Sequence, residues 1–231
     1  QYELNTPWDL STASLVHATT SSSTIGAGIY IRPDGTKMYT VDVVSLNISE
    51  FTLSTAWDIT TSELVATTSL GAPLYDLSFS PDGDLIVLSG FGGVTAIPLP
   101  SPWDVTTMVP VQGAVVENPE AITLAHDLSD DGRRLFVAAS DGGSTVSLYE
   151  YQLTVPYDLS TASLIAGPSS FPSELVFTGD FEFVDNDSRW VLYDFDGLAG
   201  SASLYSYGGI TSQSVLQTLA GTMTGSSSFA Q

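Results

Sequence analysis

The sequence contains no cysteine, and only five of its 231 residues are Lys or Arg. The first absence removes disulfides and thiolate metal sites, which a core of this length does not need. The second removes the clustered cations on which phosphate binding depends. With 26 Asp and Glu the formal charge is −21, a field that repels nucleic acid and anionic membranes alike. No run of about 18 apolar residues is present, so membrane insertion is not expected. The chain opens on Gln1 without a basic, apolar leader, and a processed or edited N-terminus is expected. No window keeps helical periodicity for about eleven residues, so the chain is expected to be all-β.

What is present is apolar enough to fold: hydrophobic residues make up 43% against 13% charged, which argues against disorder. One domain is expected over residues 1–220, followed by a Gly/Ser-rich tail at 221–231. The organisation comes from internal repeats. The segment from Tyr2 to Val16 returns from Phe51 to Val65, from Ile97 to Thr107 and from Tyr151 to Ile165, with the rings Trp8, Trp57, Trp103 and Tyr157 in register. A second motif alternates with it: Ile31 to Tyr39, Phe79 to Val87, Leu128 to Phe136 and, more loosely, Phe183 to Val191.

Each motif has a mechanism. In Pro33-Asp34-Gly35 and Pro81-Asp82-Gly83 the proline presets φ, the aspartate bonds the backbone ahead of it, and the glycine takes the left-handed position that closes a hairpin. In Pro-Trp-Asp-x-Ser/Thr-Thr the carboxylate caps backbone N–H groups two residues on, and the indole covers a neighbouring repeat. The repeat reads strand A, Pro-Asp-Gly turn, strand B, variable loop, strand C, Trp-Asp turn, strand D. Four antiparallel strands in about 45 to 50 residues make a propeller blade. The Ser80 to Leu88 segment resembles YVTN-type and TolB-type propellers. The pattern of Leu4 to Ala13 with Pro33 to Tyr39 is similar to repeats in structural proteins of marine bacteriophages and in secreted bacterial surface proteins. That resemblance implies a small all-β propeller of four, or five, blades in a virion-associated or extracellular structural and adhesion protein.

The halves do not balance: A–B pairs occur four times and C–D pairs five times. Four blades close if the N-terminal C–D pair joins the last A–B pair and leaves the C-terminal pair spare. Five blades lack one A–B pair, and an unpaired edge invites assembly with another copy or another surface subunit. The variable B–C and D–A loops form the candidate functional rim. Its binding candidates are Glu117, Glu120, Asp141, Asp194 and Asp196, suited to a host glycan. Asp185 and Asp187 are candidate Ca²⁺ ligands, without an EF-hand pattern. No catalytic residue is assigned. His126, in a strand A position, is expected to be a packed core imidazole, and no other cofactor is expected. The alternative function is a secreted glycan-binding or glycoside-active propeller using a carboxylate pair from this rim. The cations Arg32, Lys37, Arg133, Arg134 and Arg189 each stand beside an acidic turn, where local neutralisation is their expected role. Because so few cations offset the acidic groups, screening is predicted to raise the melting temperature as salt increases to about 0.15 M. A fall over that range in a thermal melt contradicts it.

Overall fold

The computed structural model describes residues 1–7, 9–16, 26–109, 114–142, 146–170, 178–184, 189–195, 200–206 and 218–220. Every strand pairing is antiparallel. The first sheet has two strands, β1 (Tyr2–Leu4) and β2 (Ala13–Leu15). Unit I follows as β3 (Gly26–Ile31), β4 (Lys37–Asp42), β5 (Asn47–Leu53) and β6 (Ser62–Ser69), hydrogen-bonded in that order. A six-stranded sheet then holds β7 (Leu74–Phe79), β8 (Leu85–Pro98), β9 (Ala114–Leu128), β10 (Arg134–Ser140), β11 (Val146–Leu153) and β12 (Ala162–Ser170). The last sheet is β13 (Thr178–Val184), β14 (Arg189–Phe195), β15 (Gly200–Ser206) and β16 (Thr218–Ala220).

The six-stranded sheet is two repeat units run together. Leu99 N–H donates to the Asp84 carbonyl at 2.7 Å, as Leu53 does to Thr36 at 2.8 Å and Leu153 to Arg133 at 2.7 Å. β8 therefore doubles back on itself, supplying strands B and C of unit II, and Gly92 and Gly93 at the reversal both have positive φ. The N-terminal part of β9 pairs with β8 as strand D of unit II, and the remainder pairs with β10 as strand A of unit III. Unit III is completed by β10 to β12, and β13 to β16 form unit IV. The four A strands touch in cyclic order, β3 on β7, β7 on β9, β9 on β13 and β13 on β3. At the first of these contacts Gly28 is required, because a Cβ there would sit 2.8 Å from the Asp76 Cα.

The expected bookkeeping of strand pairs differs in one respect. The last A–B pair, β13–β14, takes the C-terminal pair β15–β16 as its partner, through a register running from Arg189 opposite Ser206 to Phe195 opposite Gly200. The surplus is therefore the N-terminal pair β1–β2, not the C-terminal one. Its 3₁₀ turn, Leu10–Thr12, lies against β15 of unit IV. The equivalent turn of unit II, Val105–Thr107, lies against β6 of unit I, and that of unit III, Leu159–Thr161, against β9. The half unit thus follows unit IV in the sense in which each unit follows the one before. Residues 221–231 lie outside the described residues.

Trp103 shows how one unit grips the previous one. Its indole is 8% exposed and stacks with Tyr30 of unit I at 6.2 Å and with Phe79 at 5.1 Å, while Arg32 lies 5.1 Å over the ring. The Tyr39 hydroxyl donates to the Trp103 carbonyl at 2.7 Å. Trp57, expected to be a packing anchor of the same kind, is 48% exposed. Trp8 lies outside the described residues. The difference predicts that Trp103→Ala costs about 3–5 kcal/mol in a denaturant melt, and that Trp57→Ala costs less than half as much. Equal losses would show that each ring acts through its own turn and not through the neighbouring unit.

Candidate functional site

The repeated turns are built from interlocking backbone bonds. Asp9, Asp58, Asp104 and Asp158 each accept the N–H two residues on, from Ser11, Thr60, Thr106 and Ser160, at 3.0 Å in every copy. In unit I the hydroxyl and N–H of Thr36 bond Asp34 and hold its carboxyl below the usual range. The Ser129 hydroxyl, with the Arg133 N–H, does the same for Asp131 in unit III. Unit II departs from this pattern because Asp84 stands where Thr36 stood. Ser80 there donates to Asp84 at 2.8 Å and accepts the Leu85 N–H at 3.1 Å, and Asp82 is exposed in the turn as Asp34 and Asp131 are.

Of the rim candidates, Glu120 and Asp141 come to one end of unit III, since Ser140 pairs with Ile122 across β9 and β10. Glu120 is half-buried and accepts the Tyr149 hydroxyl at 2.8 Å; burial, then the Glu120 carboxylate, pushes that phenol up to about 12. Asp141 is exposed. Glu117 is exposed on the other part of β9, opposite Gly93. Asp194 lies on β14 opposite Thr178 and Ser201, in a different unit. Asp196, Asp185, Asp187 and His17 lie outside the described residues. Among the described residues, no three His, Asp or Glu side chains gather as a metal site.

The concavities fall differently from the expected rim. A pocket of about 210 Å³ lies there between units I and II, with an apolar lining of Leu70, Pro73, Leu88 and Phe91 among others. A larger cleft, about 570 Å³, opens on the opposite rim, between the A–B turn of unit II and the C–D turn of unit III. Ser80, Asp82, Leu85, Ala96, Tyr157 and Leu159 are among its walls.

A polar cluster that sequence reasoning missed surrounds His126. Its ring, 2% exposed, has Nε2 at 2.8 Å from the Ser78 hydroxyl and Nδ1 at 2.6 Å from that of Ser89. Asp76, 3% exposed, approaches Nδ1 at 3.3 Å, accepts the His126 backbone N–H at 3.0 Å and accepts its neighbour Leu77's N–H at 2.7 Å. Serine, histidine and aspartate together have the composition of an acyl-transfer triad. Enclosed on three strands, however, they join β7 and β8 of unit II to β9 of unit III as a buried, hydrogen-bonded clasp. The signal for it was an aspartate and a serine two apart in strand A, where unit I has Gly28 and Tyr30.

No protein-family model matches the chain, and no curated protein matches it either. Solved structures do. A protein from Lactobacillus plantarum aligns over 84% of this chain and 54% of its own, at 19% identity and a TM-score of 0.51. A candidate 6-phosphogluconolactonase from Bacteroides uniformis aligns over 97% of this chain and 64% of its own, at 14% identity and 0.54. A chain of the nidogen/laminin complex aligns over 77% of this chain and 59% of its own, at 9% identity and 0.51. The chain thus spans little more than half to under two-thirds of each. These likenesses, with the antiparallel four-stranded units, define the fold as a β-propeller.

Burial of the clasp holds the His126 imidazole neutral, its pKa pushed down from 6.5 to about 3 by desolvation. The unfolded chain takes up a proton in that window and the folded chain does not, so stability falls as pH drops from about 6.5 towards 3. The slope is at most about 1.4 kcal/mol per pH unit. The expected outcome is that His126→Gln, though less stable overall, loses this component from the stability profile. Parallel profiles for the two proteins would refute it.

Proposed function

We propose that this chain is a non-enzymatic structural and adhesion propeller of a virion or extracellular surface that contributes to a symmetric assembly. The observation that carries the reading is an exposed apolar pair repeated on the outermost D strands. Leu15 and Val16 in the half unit, Leu64 and Val65 in unit I, and Leu164 and Ile165 in unit III are each roughly half exposed. They occupy one register: Leu15 faces Tyr2, Leu64 faces Phe51 and Leu164 faces Tyr151 across the C–D ladder. β2, β6 and β12 are sheet edges, and an apolar edge strand is a template for association. A single exposed leucine needs no explanation; the same pair at three equivalent edges marks a surface. The nidogen/laminin likeness is in keeping with a propeller that engages other proteins, and the resemblance to phage structural repeats supports the virion setting.

The charge-introducing double substitution Leu64→Glu with Leu164→Glu is expected to shift sedimentation of the protein from oligomer to monomer while leaving the melting temperature within a few degrees of the parent. A parent chain that is itself monomeric, or an unchanged sedimentation profile, counts against assembly through these edges. The rival reading, a glycan-binding or glycoside-active propeller, is favoured by the meeting of Glu120 and Asp141 at one rim. Polysaccharide turnover abolished by Glu120→Gln would establish it in place of the structural one.

A further inference from the structure

Units I, II and III share one backbone frame at their turns, so each side chain at the I–II interface has a counterpart at the II–III interface. Between units I and II the space beneath the turns is filled by two cations of the chain itself. Arg32 lies over the Trp103 ring with Nε 3.4 Å from Asp34. Lys37 bridges Glu50 at 2.6 Å and the Trp103 carbonyl at 3.0 Å. Between units II and III the counterparts of Arg32, Lys37 and Glu50 are Ser80, Leu85 and Ala96. In unit III the pair returns as Arg134 and Glu150, 3.4 Å apart. Unit II alone among these three has neither cation, and the cleft of about 570 Å³ lies where they would be.

The counterparts that would receive a cation are nonetheless in place. Tyr157 stands where Trp103 stands, half-buried, and Asp82 where Asp34 stands, exposed. Leu85, Ala96 and Leu159 make an apolar floor for a methylene stem, and the Asp158 and Asp84 carboxylates add negative charge at the wall. We propose that this cleft binds an arginine side chain of a partner protein, presented on an extended segment. Its guanidinium lies against the Tyr157 ring beside Asp82, as Arg32 lies against Trp103 beside Asp34. A planar guanidinium stacks on an aromatic face and pairs with a carboxylate at once, which an ammonium does less well. The cleft faces the rim of repeated turns, away from the D-strand edges, so it stands or falls independently of assembly through them.

Amide chemical shifts of the full chain, followed during titration with the peptide Ac-Gly-Ser-Arg-Ser-Gly-NH₂, test this directly. Saturable shifts are expected at Leu85, Ala96, Tyr157 and Asp158, with dissociation in the millimolar range, on the order of 1 mM. The lysine version should bind about fivefold more weakly, and the citrulline version, isosteric but uncharged, should not saturate. Ser80→Arg, which restores the unit I arrangement, should occupy the cleft from within and abolish binding. Asp82→Asn, a change at an exposed turn position, should weaken binding about tenfold and serves if Ser80→Arg does not fold. Equal binding of the citrulline peptide, shifts away from the cleft, or unchanged binding by Ser80→Arg or Asp82→Asn would overturn the proposal. Spermidine producing the same shifts as strongly as the arginine peptide would replace the protein partner with a small polyamine and overturn it too.

Discussion

The ring depends on a glycine and an aromatic ring locked together inside units I, II and III. Gly35, Gly83 and Gly132 adopt φ of +72°, +70° and +66° in the A–B turns, and Trp57, Trp103 and Tyr157 adopt +65°, +63° and +60° in the C–D turns. A left-handed conformation costs a bulky residue about 1–2 kcal/mol. It persists because the backbone N–H of each aromatic residue donates to its glycine carbonyl at 2.9 Å and the ring lies across the glycine, where any Cβ would overlap it. Two turns from opposite ends of a unit's sequence thereby become one rigid rim. At Trp103 the ring so held also meets Tyr30 and Arg32 of the previous unit, so a contact made within unit II positions one made between units.

With the frame fixed, the interfaces differ in what fills them. Between units I and II an ion pair lies beside the aromatic and aliphatic core: Glu50, buried, takes Lys37 on one oxygen and lies 3.4 Å from the Val105 N–H with the other. A buried carboxylate left without such partners would be costly, so one of only five cations is placed there. Arg134 meets Glu150 in the same way. Between units II and III Leu85 and Ala96 stand where Lys37 and Glu50 stand and line the cleft, and the His126 clasp supplies the directional contact that the ion pair gives elsewhere. Arg32, Lys37 and Arg134 thus stand at turns and seams, each beside a carboxylate.

The fold was legible because both repeat motifs are local: Pro33-Asp34-Gly35 and Trp103-Asp104 carry their turn chemistry within a few residues. The pairing of halves was not. Four A–B and five C–D pairs could be counted from the chain, but whether β14 bonds to β15 or to β1 is decided by contacts distant in sequence. The clasp was hidden for a similar reason. Asp76, Ser78, Ser89 and His126 come from three strands, and each alone looks like an ordinary strand residue. Glu120 was found as a rim carboxylate, while its Tyr149 partner could be seen only once β9 and β11 had been placed in one sheet.

Trp103 and Trp57 make the same turn with very different exposure. Trp103 is buried because the A–B hairpin of unit I brings Tyr30, Arg32 and Tyr39 against it. Trp57 belongs to the unit that follows β1–β2 in the chain, and β1–β2 is a C–D pair with no A–B hairpin among the described residues. Among the described residues β1 bonds to β2 alone in its sheet. Trp57 keeps its hold on Gly35 while half of its surface is exposed, so the lock within a unit forms whether or not a neighbouring unit covers the ring.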